Sequence, residues 1–232
     1  MDQLRILLLF LATVSGVLSA SDGTTELTIL GGVAPKVHVK PSLKAVTSLR
    51  AGTGEVLIDP VENHNLKILN LVGELNAVPE NIHNLRSLEI LNLCGNNFQY
   101  VSLDSFRGMS RLAKLNLGHN RIDTVSSTID INLPALTELL LHGNKLRTLD
   151  LTRLQADKLE RLYVSENQLK QIDGFPQLFP SLVRTDLFGN KWNCAWLNST
   201  LQALGDVETL SYLPKPACND AGTVKVASLE CE

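Results

Sequence analysis

The sequence predicts an α/β solenoid, a curved parallel sheet of short stacked strands closed at its C-terminal end by a cap that carries cysteines. Three observations predict it. One short apolar pattern recurs through the middle of the chain at a nearly constant interval. One asparagine keeps its place in that pattern. The last copy runs into FGNKWNCAWLNSTLQAL (Phe188 to Leu204), where a tryptophan, a cysteine and an apolar pattern of helical spacing crowd together.

The copies are LEILNLCGNNF from Leu88, LAKLNLGHNRI from Leu112, LTELLLHGNKL from Leu136, LERLYVSENQL from Leu159 and LVRTDLFGNKW from Leu182. Their starts are 24, 24, 23 and 23 residues apart, and a weaker copy, LKILNLVGEL from Leu66, begins 22 residues before the first. Each full copy follows L-x-x-L-x-L-x-x-N-x-L, the signature of a leucine-rich repeat. A chance run of leucines would not keep Asn96, Asn120, Asn144, Asn167 and Asn190 in register as well.

Each position has a physical task. The x-L-x-L-x centre is a strand whose leucines point inward at period two: Leu91/Leu93, Leu115/Leu117, Leu139/Leu141 and Leu162/Val164, weakening at Thr185/Leu187. The chain then turns, and a buried asparagine is expected to satisfy the backbone groups stranded at that corner. Val78, Val101, Val125, Leu149 and Ile172 begin the return segment on the convex side. A single repeat cannot bury its apolar face, so the copies must stack.

The ends complete the plan. MDQLRILLLFLATVSGVLSA has a charged start with Arg5, an apolar stretch from Ile6 to Leu18, and small residues at Ser19 and Ala20. Residues 1–20 are read as a secretory signal peptide, the competing reading being a buried strand or helix. Residues 21–64 are read as an N-terminal cap with one degenerate repeat, in which only residues 37–39 and 55–58 look like strands. Residues 65–192 form the solenoid and residues 193–232 the C-terminal cap. There, Trp192 stands where earlier copies hold Phe98, Ile122, Leu146 and Leu169, and Leu197, Leu201 and Leu204 recur on one helical face.

Export would place the four cysteines in an oxidising compartment, where they allow three complete pairings. Cys194 is placed to clamp the cap helix to the tail, with Cys218 the expected partner. Cys231 is left for a disulfide to a second chain or for another bond inside the cap. Cys94 is expected as a free, half-buried thiol. Asn198-Ser-Thr is a glycosylation sequon beside the apolar face of the helix.

Residues 66–232 resemble an extracellular leucine-rich-repeat array with a cysteine-bearing flank. N-K-W-N-C (Asn190 to Cys194), a short helix, and single cysteines in PAC (Pro216 to Cys218) and LECE (Leu229 to Glu232) make it similar to the secreted leucine-rich-repeat immune proteins of mosquitoes. The resemblance implies a haemolymph protein whose partners are complement-like thioester proteins or another leucine-rich-repeat chain. Those relatives carry a coiled coil after the flank. This sequence shows no heptads before Glu232 and is read as a short form.

Outward strand positions line the concave face, the surface on which solenoids make extended protein contacts. The C-terminal half of that face combines Glu138, Leu140, His142, Arg161, Tyr163, Arg184, Asp186 and Phe188, and aromatic and arginine side chains dominate interface energetics. The competing reading is a solvated face whose charges pair among themselves, Glu138 with Arg161 for example. His119 and His142 fall on neighbouring repeats and are expected to titrate near their ordinary pKa. Two histidines without a third ligand make a poor metal site, so no metal or other cofactor is expected.

A formal charge of −3 with no run of Lys or Arg excludes a polyanion-binding surface. Nothing matches a phosphate loop, a nucleophile elbow or a metal motif, so an enzyme is not expected. The function expected is a secreted recognition or adaptor module of insect innate immunity, the alternative being an extracellular matrix or cell-surface adhesion component.

Overall fold

A computed structural model describes residues 6–9, 26–30, 36–39, 48–51, 55–205 and 208–209. Ten strands form one sheet and lie in it in chain order. They are β1 (Ile6–Leu9), β2 (Glu26–Leu30), β3 (Ser48–Ala51), β4 (Ile68–Leu71) and β5 (Ile90–Asn92). β6 (Lys114–Asn116), β7 (Glu138–Leu140), β8 (Arg161–Tyr163), β9 (Arg184–Asp186) and β10 (Glu208–Thr209) follow. Every neighbouring pair is parallel. A parallel sheet in strict chain order is what identical right-handed coils produce when stacked, and it is the solenoid the repeat demands.

The register puts equivalent residues opposite one another, so that Leu69, Leu91, Leu115, Leu139, Leu162 and Thr185 form one row. All six are essentially inaccessible. Each leucine of that row contributes roughly 1.5–3 kcal/mol by leaving water. Thr185 is tolerated because its hydroxyl donates to the carbonyl of Leu162 at 2.9 Å. Val101, Val125, Leu149 and Ile172 close the convex side of the same core, with Val78 partly buried against it.

The asparagines stitch each coil to the one before. Asn144 Oδ1 accepts from Ile122 N at 3.0 Å, and its Nδ2 donates to Leu117 O at 3.0 Å and Leu141 O at 2.9 Å. Asn96, Asn120, Asn167 and Asn190 repeat the arrangement one coil at a time. Six positions before the expected return segment the backbone is tight as well. Gly95, His119, Gly143, Glu166 and Gly189, one per repeat, all have φ between 49° and 68°. That left-handed conformation suits glycine, so His119 and Glu166 hold it at a cost.

At the N-terminal end the sheet extends further than the sequence reading placed it. Residues 37–39 and 55–58 belong to a separate parallel pair, Lys36–Val39 with Glu55–Ile58. The main sheet instead gains β2 and β3, in which Leu27 pairs with Leu49 and Leu49 with Leu69, in register with the repeat's leucine row. Ile6–Leu9, within the stretch read as a leader, pairs with β2.

At the other end, helix α1 (Cys194–Leu204) starts at Asn193, whose side chain accepts from Trp196 N. Trp192 is 1% exposed, and its ring stacks on Trp196 with centroids 4.7 Å apart. The face of α1 turned to the core is Leu197, Thr200 and Leu204, while Leu201 is exposed. The i, i+4, i+7 reading is therefore corrected to i, i+3, i+7, because the stacked tryptophans fix the roll of the helix.

Cys94 is also corrected. It is fully buried, not half-buried, and both it and Cys194 are disulfide-bonded. Cys218 and Cys231 lie outside the described residues, as do the bonds expected of them.

Candidate functional site

The site expected from the sequence is the outward face of the sheet, and the ladder builds it in three columns. The first is Ile68, Ile90, Lys114, Glu138, Arg161 and Arg184. The second is Asn70, Asn92, Asn116, Leu140, Tyr163 and Asp186. The ladder continues past the strands, since Leu93 N donates to Asn116 O and Gly95 N to Gly118 O. A third column follows by alternation: Val72, Cys94, Gly118, His142, Ser165 and Phe188.

The columns differ in what they offer. The first is half-buried throughout and carries the charge. Glu138 bridges Lys114 Nζ at 3.3 Å and Arg161 Nε at 3.5 Å, and Arg161 also reaches Glu160 at 4.0 Å. Lys114 belongs to this chain of charges, although the expected binding residues did not include it. Pairs this exposed contribute little to stability, so the row remains available to an opposite charge from outside. Arg184 hydrogen-bonds the Tyr163 hydroxyl. Burial raises the Tyr163 pKa, and that bond partly offsets the rise.

The second and third columns are covered. Leu140 and Tyr163 are each 8% exposed and form an apolar pair apart from the main core. Asp186, His142, Ser165 and Phe188 are also buried. Asp186 accepts from Phe188 N and from the Ser165 hydroxyl, yet burial outweighs these bonds and pushes its carboxyl up to about 6. His142 meets His119 edge to face, with ring centroids 4.8 Å apart, as neighbouring repeats allow. Burial, reinforced by His119, pulls His142 down to about 4, so the expectation of ordinary titration is corrected for that ring. His142 Nδ1 and Asp186 Oδ2 are buried with no hydrogen-bond partner. The His119–His142 pair has no third ligand beside it among the described residues.

The eight expected contact residues thus lie on one surface, but only Glu138, Arg161 and Arg184 are in reach of solvent without rearrangement. Alternation alone puts a side chain outside the core; it does not say how deeply that side chain is buried. Asn198, on α1, is exposed, while Thr200 of the same sequon is buried. No helix among the described residues is long and apolar enough to cross a membrane.

Residues 86–146 match the family model described as leucine-rich repeat. A segment of 105 residues is 36% identical to Toll-like receptor 5 of Homo sapiens, covering 42% of this chain and 12% of the receptor. The chain therefore spans about an eighth of that relative's length. Among solved structures, the leucine-rich repeat domain of APL1B superposes with a TM-score of 0.64 at 21% identity, over 87% of this chain and 55% of that one. The LRIM1/APL1C complex does so with a TM-score of 0.59 at 23% identity, over 88% and 34%. These two likenesses are of fold. Asparagine-stitched coils and a parallel ladder in chain order give the described residues the fold of a leucine-rich-repeat solenoid, and the segment 86–146 matches the repeat family of that name.

Proposed function

We propose that the chain is a secreted recognition or adaptor module of insect innate immunity that captures a protein partner on the concave face of its sheet. It is a binding module and not an enzyme. The observation that carries this reading is the ladder Lys114–Glu138–Arg161–Arg184, a half-exposed charged row of three cations and one carboxylate beside Tyr163. Arginine and tyrosine are the side chains that supply binding energy when an interface closes over them. Identity to a Toll-like receptor and a fold shared with a chain of the LRIM1/APL1C complex support an immune role. The complex favours another leucine-rich-repeat chain as partner, and the resemblance of the N-K-W-N-C flank to the mosquito immune proteins adds a complement-like thioester protein. A bond from Cys194 to Cys218 and a glycan on the exposed Asn198 belong to the same reading.

The test is capture from haemolymph of infected and naive insects on the immobilised chain, with a Tyr163→Ala, Arg184→Glu variant alongside. Capture of one immune-induced protein, reduced more than tenfold by the variant, is expected. Equal capture by the variant would reject the concave face. Recovery of matrix proteins alone would replace the immune role with adhesion.

A further inference from the structure

Away from the concave face, two neighbouring coils bring cations together. The 3-10 turns Ile82–Asn84 and Leu103–Phe106 follow the convex segments that begin at Val78 and Val101, and they pack against each other. His83 lies in the first turn, Arg86 just after it, and Arg107 just after the second. His83 and Arg107 are 24 residues apart, one repeat, so stacking sets one beside the other. Runs of Lys or Arg in the sequence do not register such a cluster, because its members come from different coils.

The donors are fixed but not used up. Arg86 Nε donates to Glu62 Oε1 at 3.0 Å. Its Nη1 lies against Gly108, where an added Cβ would fall 2.1 Å from it. The bare backbone of that glycine, at φ +72°, is the cradle of the guanidinium. Arg107 Nη1 donates to Asp104 O at 3.3 Å, and its Nη2 stands 3.0 Å from His83 Nε2. A guanidinium can only donate, so His83 Nε2 accepts there and the ring is neutral.

The carboxylates nearby are committed. Glu62 places its other oxygen 3.2 Å from His64, and the Asp104 carboxylate accepts from Ser127 and Thr128. Arg107 pairs with no carboxylate among the described residues. Two guanidinium groups therefore share the one carboxylate of Glu62. The surplus positive charge stands at the surface, with His83 and Arg86 half-buried and Arg107 exposed. An imidazole is a weak substitute for a carboxylate beside a guanidinium, and protonating it there without an anion would bring three positive charges together.

We propose that Arg86, Arg107 and His83 bind a tetrahedral oxyanion, sulfate or phosphate, free or as an ester. The two guanidinium forks present N–H groups from adjacent coils, and the imidazole adds a third direction. That suits an anion with three outward oxygens better than a planar carboxylate with two. As the anion enters, Arg107 turns its Nη2 donor from the imidazole to the anion, and His83 takes a proton from solvent and donates as well. In the empty site burial, and after it Arg107 and Arg86, lower the His83 pKa. A bound anion offsets the part due to the arginines, so sulfate binding tightens as pH falls through the imidazole range. Arg107 and Arg86 face the ring, with Glu62 and His64 beyond Arg86. This site lies apart from the concave face and does not depend on the partner proposed there.

The full-length chain is titrated with sodium sulfate at an ionic strength held constant with chloride. Affinity is read by calorimetry, and the His83 ring resonances, assigned with a His83→Gln variant, by NMR. A saturable shift at His83 is expected. Arg107→Ala removes charge-assisted bonds from an exposed side chain and should weaken binding at least about tenfold with urea unfolding unchanged. Arg147→Ala, at an exposed arginine elsewhere, should bind as the parent does. Sulfate does not titrate in this range, so tightening on acidification reports the protein, and His83→Gln should abolish it. A shift that never saturates, equal affinity in Arg107→Ala and parent, or full pH dependence in His83→Gln would overturn the proposal. Glucose 6-phosphate binding as tightly as inorganic phosphate would support it for an ester, and binding of the inorganic ions alone would support it for a free anion.

Discussion

The asparagine column gives the sharpest prediction, because the groups it satisfies are known one by one. Replacing Asn144 with alanine leaves the Ile122 N–H without its acceptor in a fully buried place. The carbonyls of Leu117 and Leu141 lose one donor each but keep another, from Asn120 and Asn167. One orphaned buried N–H costs about 1–3 kcal/mol, and the lost packing of the amide brings the expected destabilisation to about 2–4 kcal/mol. Against a domain stability of roughly 5–15 kcal/mol this lowers the urea midpoint by about 1 M. Hydrogen exchange at the Ile122 amide should accelerate more than that of other core amides. Asn144→Asp is the control: it keeps an acceptor for Ile122 but sets a carboxylate against two carbonyls, so it should be no more stable than the alanine variant. Asn190→Ala, at the half-buried end of the column where water can replace the amide, should cost under about 1 kcal/mol. A loss below about 0.5 kcal/mol for Asn144→Ala would refute the view that these side chains hold the coils together.

Two buried groups should make stability respond to pH in opposite directions. Asp186 titrates near about 6 in the fold against 3.8 unfolded, so the fold gains stability as pH falls through that window, by up to about 3 kcal/mol. His142 titrates near about 4 against 6.5, so the stability associated with its neutral form is present above 6.5 and lost as pH falls toward 4, again by about 3 kcal/mol. The parent should be nearly flat between pH 4 and 6.5, Asp186→Asn should lose stability on acidification and His142→Gln should gain it. Parallel curves for all three in urea titrations would contradict this. Gly143→Ala should destabilise by more than about 1 kcal/mol, since φ is +65° and the new Cβ would fall 2.6 Å from His119 Nδ1. His119→Gly should recover part of that loss in a double-mutant cycle, and strict additivity would exclude the contact. Trp192→Ala should cost about 3–5 kcal/mol by thermal melting, because the ring is fully buried and seats α1 through Trp196; a change below about 1 kcal/mol would show that the cap is seated by other contacts.

What the sequence determined by itself is the repeat and everything that follows from its period. Inward leucines, stitching asparagines, Trp192 under the cap and the pairing of His119 with His142 were all readable. Each depends on a residue's type and its spacing from neighbours, and stacking translates that spacing directly into contact. Even Thr185, a break in the pattern, needs only the preceding coil's carbonyl. Tertiary structure alone decided the rest. β2 and β3 stand in register with the leucine row, and pairing with β4 is what recruits them. The roll of α1 is set by tryptophan stacking, which buries Thr200 and exposes Leu201. Cys94 is buried and bonded although its repeat gives no sign of it, and Tyr163, Asp186 and Phe188 are covered on a face that alternation only marks as outward. Periodicity says which way a side chain points; how deeply it is buried depends on the three-dimensional packing around it, which local spacing does not encode.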